Sequence, residues 1–299
     1  MRLVTFLNEL SQPSDRMSDG EAKENVGKLI KLLREIKRIR SGLELHSIQP
    51  LVSINMGNQR TLSSLRTDGN TREEWQFLRG LENRAFDLAG ELHDLTMDYE
   101  HKGVPCVGLG LAHAIDALAV SFEGADWSES SLELVCRELA NDGELSESLV
   151  CVRHAATEEN LADLQEWLRL IPLKNYASGE EMWERRAEAF PSLLFLPRTE
   201  QQIVSLKNGS EALGPVNLRL WQLECAAQNW EQGRGSPSFL SKVTPEHEQR
   251  KSLCQFESVA SGVQYFDLHA RYTPGAGRIH MWCNPENHTI EIAHIGHKL

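Results

Sequence analysis

The residues best suited to chemistry stand close together near the end of the 299-residue chain. In YFDLHARY (265–272) strict alternation sets Phe266, Leu268, Ala270 and Tyr272 on one side and Asp267, His269 and Arg271 on the other, the pattern of a half-buried strand. TPGAG then supplies a proline and two glycines for a tight reversal. RIHMW follows, with Ile279 and Met281 on one face and Arg278 and His280 on the other. Asn284-Pro-Glu-Asn287 makes a second turn, and TIEIAHI returns as a third strand. When the apolar faces share a core, His269, Arg271, Arg278 and His280 converge on one outer face. Two guanidiniums on a rigid sheet grip a phosphate or carboxylate bidentately, and imidazoles exchange protons near neutral pH. The four residues suit metal-independent phosphodiester transesterification or simple anion binding. The competing expectation is structural: Arg271 and Arg278 pair with acids such as Asp267, and the histidines decorate a polar face.

Other constellations are weaker. His269, His280, His294 and His297 offer imidazoles, but His294-x-x-His297 sits at a strand end without a helical HExxH frame or a cysteine partner. Neither a metal nor a cofactor is therefore expected. Gly108 and Gly110 in VGLGLAHA resemble half of a phosphate-binding glycine loop, yet no glycine stands at Ala114 or beside it. His113 and Asp116 share a helical face, a spacing that favours a buried, satisfied polar pair.

These residues need a frame. RLVTFL (2–7) reads as a buried strand, and Val26, Leu29, Ile30, Leu33, Ile36 and Ile39 recur at helical spacing between Glu21 and Arg40, with Gly42 as the stop. Thr71-Arg-Glu-Glu74 is a capping box for a helix reaching about Arg84, with Trp75, Leu78 and Leu81 inward. A strand from Leu95, an apolar helix after the glycine pair and a strand at Leu118–Phe122 follow. Ser148–Ala155 reads as a strand, and Thr157 caps a helix with Leu161, Leu164, Trp167 and Leu168 on one face. FPSLLFLP (190–197) is a strand between prolines, a short helix starts near Glu200, and a longer one runs from about Val216 to Trp230. The expected fold class is α+β (mixed α/β), with helices around a mixed sheet and a C-terminal antiparallel β-meander. The expected division is a body over 1–230 and the meander over 236–299, packed on it and separated by the Gly/Ser/Pro-rich QGRGSPSF.

Composition narrows the partners. Forty-three acids against 31 Lys and Arg give a net charge of -12, a field that repels phosphate backbones from most of the surface. Residues 250–299 depart from this, with five bases (Arg250, Lys251, Arg271, Arg278, Lys298) against four acids. Any RNA or DNA must use this local C-terminal patch. A protein partner in a complex, docked on the Trp-rich helices and acidic surface, is the alternative. No apolar run approaches the roughly 20 residues that span a bilayer, and the first residues turn polar too early for a signal peptide. The six cysteines show no CxxC pair, so reduced thiols in a cytoplasmic protein are expected.

The succession of strand, tight turn, GRIHMW, turn and IEIAHIGHKL over 265–299 resembles the closing strands of small bacterial ribonuclease toxins of the RelE/ParE/HigB superfamily. The resemblance implies a short antiparallel sheet that presents basic and His or Tyr residues to ribosome-bound mRNA. Its matching positions here are Arg271, Arg278 and His280, with Tyr272 and His297 behind them. The family is small and basic, whereas this chain is acidic and much longer. More loosely, FLNELS, TREEWQFLRGLENRAF and GLGLAHAIDALAVSF, with the same ending, resemble bacterial proteins encoded among defence genes, which implies an antiphage or toxin-like setting.

Overall fold

The computed structural model describes residues 3–40, 42–67, 69, 71–81, 97–139, 145–170, 176–207, 210, 212–231, 233–273 and 276–299. The end of the helix expected near Arg84, the strand start at Leu95 and the tip of the TPGAG turn lie outside them. The fold is α+β, built on two main sheets.

β1 (Leu3–Leu7) is the buried strand that RLVTFL predicts. α1 (Asp19–Ile39) opens just before the expected start because Ser18 and Glu21 form a capping box. The Ser18 hydroxyl accepts from the Glu21 N–H at 3.3 Å, and the Glu21 carboxylate accepts from the Ser18 N–H at 2.8 Å. Val26, Leu29, Ile30, Leu33 and Ile36 make its buried stripe. β2 (Leu43–His46) then pairs parallel to β1. A small hairpin, β3 (Asn55–Gly57) with β4 (Arg60–Thr61), leads to α2 (Arg72–Leu81), which buries Leu78 and Leu81 as predicted.

The chain continues through β5 (Met97–His101), β6 (Val104–Pro105), α3 (Val107–Ala114), β7 (Leu118–Val120), β8 (Ser131–Leu139), β9 (Leu145–Ala155) and α4 (Glu158–Leu170). The first sheet has the order β2-β1-β7-β9-β8-β5-β6. It is parallel from β2 to β9 and antiparallel beyond. One core packs α1, α2 and α4 around residues such as Leu7, Leu45, Val120 and Ala155. A second lies around Phe6, Tyr99, Leu109, Leu134 and Val152.

α5 (Gly179–Glu184), α6 (Arg186–Ala189), β10 (Leu193–Phe195), α7 (Arg198–Val204) and α8 (Leu213–Gln228) precede the closing segment. That segment contains β11 (Val243–Pro245), α9 (Glu248–Lys251), the hairpin β12 (Gln255–Glu257) with β13 (Val263–Tyr265), β14 (Leu268–Arg271), β15 (Gly277–Asn284) and β16 (Thr289–His297). β14, β15 and β16 form the predicted antiparallel meander. β11 adds to its β14 edge, and β10 pairs parallel to β16 at the other, so the strand read in FPSLLFLP belongs to this sheet. Val216, Leu220, Leu223 and Ala227 of α8 pack against Ala270, Ile279, Met281, Ile290 and Ile292. Phe266 leaves the predicted alternation: it packs with Leu196, Ala293 and Trp282, because regular strand begins only at Leu268.

Asp116, at φ 53°, joins the two sheets. It accepts from Arg153 of β9 and, at 3.1 Å, from Gln222 of α8, with Arg219 of α8 at 3.8 Å. Arg219 in turn donates from Nε to the Arg271 carbonyl at 2.8 Å. Among the described residues, no helix is long and apolar enough to cross a membrane.

Candidate functional site

Antiparallel register brings the four predicted residues together. His269 stands opposite His280, and Arg271 opposite Arg278, so two histidines form one rung of the sheet and two arginines the next. The imidazole centroids are 5.4 Å apart. His294 of β16 extends the histidine rung beyond His280, and Thr244 of β11 closes its other end.

The face is not an outer one, which corrects the expectation drawn from alternation alone. His269 is 6% exposed, Arg271 8%, Arg278 4% and His280 0%. A period of two says which residues share a face but not what covers it. Here residues 244–257 and the first sheet supply the cover. Glu246, just past β11, stands over both histidines, and the Cys254 thiol lies 3.7 Å from His280 Nδ1. At the arginine rung the Glu138 carboxylate of β8 is 4.0 Å from Arg271 Nη2. Asp267, the acid expected to pair with the arginines, instead meets Lys251 at 3.3 Å.

Several polar atoms on this face are unsatisfied. Among the described residues, His269 Nδ1, His280 Nε2 and Arg271 Nη1 have no hydrogen-bond partner. Both ring nitrogens stand 3.9 Å from the same oxygen, Glu246 Oε2. Burial, reinforced by the Arg278 guanidinium, pushes His269 down to about 2. Burial, with His294 alongside, pushes His280 down to about 3. Both rings are therefore neutral at physiological pH and present lone pairs rather than charge. Burial also raises the Cys254 thiol to about 11, so it is not a nucleophile poised as thiolate.

The remaining candidates are absorbed by structure. Gly108 and Gly110 lie inside α3, where a Cβ on Gly108 would sit 2.5 Å from the Leu7 carbonyl and one on Gly110 would run into the Tyr99 ring. They permit close packing. The two N–H groups that open α3 are taken by the protein's own Glu9 carboxylate, which accepts from Val107 and, at 2.9 Å, from Gly108. His113 contacts the Tyr99 hydroxyl at 3.2 Å, while Asp116 serves the arginine network, so each is satisfied separately. Tyr272 packs on the apolar side of the second sheet, and the His297 carbonyl accepts from His294 Nε2 at 2.7 Å.

Sequence reading missed Glu246, Thr244, Glu138 and Cys254, none of which has a spacing that ties it to the meander. The only available signal was VTPEHE (243–248), a short polar strand of the kind found at a sheet edge. All six cysteines are free thiols. Comparison of the chain with protein families, with curated proteins and with solved structures finds no match, so its function has to be read from the geometry of this face.

Proposed function

We propose that the inward Arg/His face of the second sheet binds the phosphate of a nucleotide or of a nucleic-acid end, in keeping with the toxin-like setting that the closing strands imply. The observation that carries this reading is the unpartnered Arg271 Nη1, buried beside Arg278 and one rung from two neutral imidazoles. With Glu138 facing only Nη2, the buried Nη1 without an acceptor is costly unless an anion completes it. Exposures of 0–8% favour a compact phosphate over a long strand laid across an open sheet. The test is equilibrium binding of a nucleoside monophosphate and of a short 5′-phosphorylated RNA to wild type and Arg271→Gln. Tighter binding of the phosphorylated ligands than of their dephosphorylated forms, weakened about tenfold in the variant, supports the reading. Equal binding by both proteins removes it. Cleavage is checked separately by expressing wild type in growing bacteria and recording growth and RNA integrity.

A second reading, a non-catalytic subunit that docks a protein partner, has its own support. Leu145 and Leu149 of β9 are 62% and 67% exposed on one side of the β8–β9 hairpin, with the exposed Cys151 in line. Isolated exposed leucines are common, but two on one strand face make a contact strip. If Leu145→Ser/Leu149→Ser abolished partner capture and wild type showed no preference for phosphorylated ligands, this reading would displace the first.

A further inference from the structure

The geometry points to a binding site for a first-row divalent transition-metal ion formed by Glu246, His269 and His280. The three donor atoms lie within 4.8 Å of one another. Two ligand atoms on one such ion are about 3–4 Å apart, so the 3.9 Å separations from Glu246 Oε2 to each ring nitrogen need only small side-chain rotations. Imidazole nitrogen with carboxylate oxygen is the donor set of zinc and non-haem iron sites, and three protein ligands leave positions open for water or substrate.

The surroundings orient each donor toward the same point. His280 Nδ1 is 3.3 Å from the Phe266 carbonyl, which can only accept, so Nδ1 carries the proton and Nε2 holds the lone pair. His269 Nε2 is 3.2 Å from the Thr244 hydroxyl, and with Thr244 accepting, Nδ1 is likewise the lone-pair nitrogen. Glu246 Oε1 takes the His247 N–H at 3.1 Å and faces Arg250 at 3.9 Å, leaving Oε2 for the histidines. Outer hydrogen bonds of this kind fix ligand tautomers in metal sites. Without an ion and with these tautomers, two lone pairs and a carboxylate converge in a buried space where neither ring nitrogen has a hydrogen-bond partner among the described residues, an arrangement that burial penalises.

Arg250, Arg271 and Arg278 all act on His269 and oppose a bare cation. They favour a cation that carries an anion, so phosphate should tighten metal binding here. The metal site itself rests on ligand geometry and not on the phosphate reading.

The experiment uses the full chain, stripped with chelator and titrated with Co2+, whose visible absorption reports coordination, followed by competition with Zn2+. One equivalent of Co2+ is expected, displaced by Zn2+. Glu246→Gln and His269→Leu should each weaken binding at least about 100-fold, and Thr244→Val about tenfold, with circular dichroism unchanged. His113→Gln, at a half-buried imidazole elsewhere, should bind as wild type does. Folded wild type that takes up no Co2+, or binding that Glu246→Gln leaves unmoved, overturns the site. Co2+ binding that loses to the ligand variants but ignores inorganic phosphate upholds the metal site and overturns the phosphate reading.

Discussion

The crevice at the ends of β1 and β7 and the inward face of β14 and β15 both bury histidine beside other polar groups, yet they treat those groups in opposite ways. In the first, Asn8, Ser121 and His154 are fully buried and fully engaged. Ser121 Oγ lies 3.0 Å from Asn8 Nδ2 and 2.7 Å from His154 Nε2, and His154 Nδ1 donates to the Glu129 carbonyl at 2.7 Å. Ser11 Oγ accepts the Phe122 N–H at 3.0 Å. The carboxyl ends of parallel strands are where such sheets usually hold a ligand, but here the protein's own side chains fill the place. A Ser–His contact that resembles a catalytic dyad is thus a structural network. On the second face, one atom each of His269, His280 and Arg271 lacks a hydrogen-bond partner among the described residues. Satisfied polar networks rigidify a fold, whereas unsatisfied ones reduce its stability and are kept where something else binds.

The contrast can be broken hardest at the join. Asp116→Ala removes the acid facing Arg153 and the buried Arg219. Stability should fall by about 3–5 kcal/mol in urea denaturation, because a buried guanidinium is left uncompensated; a loss under 1 kcal/mol would mean that the sheets do not depend on this network. Acid comes next. Burial depresses His154 from the ordinary 6.5 to about 4, so the unfolded chain binds the proton more readily. Its contribution is complete above pH 6.5 and is lost as pH falls toward 4, on the order of 3 kcal/mol in all. A His154→Gln variant should show a shallower acid limb in the stability–pH curve.

Ser121→Val should cost about 2–3 kcal/mol by stranding Asn8 Nδ2 and His154 Nε2, without changing Co2+ or phosphate binding. Glu9→Gln replaces the carboxylate at the start of α3 and should lower the melting temperature by the equivalent of about 1 kcal/mol. The smallest effect sharpens the comparison most. His269→Leu deletes the unpartnered Nδ1 together with the Nε2 contact to the half-buried Thr244, and metal-free stability should stay within about 1 kcal/mol of wild type while Co2+ binding weakens at least about 100-fold. A loss there as large as that of Ser121→Val would show the second face to be structural too.

Much of the frame was legible in the chain. α1, α2, α4, α8 and the three closing strands announce themselves through apolar spacing and caps, which are local. β2 and the first half of β9 were not, because short or exposed strands carry little alternation: residues 145–149 of β9 are exposed throughout. Within the site, the shared face of His269, Arg271, Arg278 and His280 followed from a period of two and a tight turn, while the pairing of His269 with His280 and Arg271 with Arg278 came from the register of the folded sheet. Glu246 did not, since it reaches the histidines from β11, which joins β14 at an edge that no turn specifies.

Sequence by itself determined that His269, Arg271, Arg278 and His280 share a face, since alternation and turn chemistry are properties of neighbouring residues. Only the tertiary structure decided that this face looks inward, that a carboxylate meets two neutral imidazoles there, and that the glycine-rich helix start is taken by Glu9. Those outcomes depend on desolvation and on partners brought from 23 to 99 residues away. No local pattern encodes such distances; they are settled by how the two sheets pack.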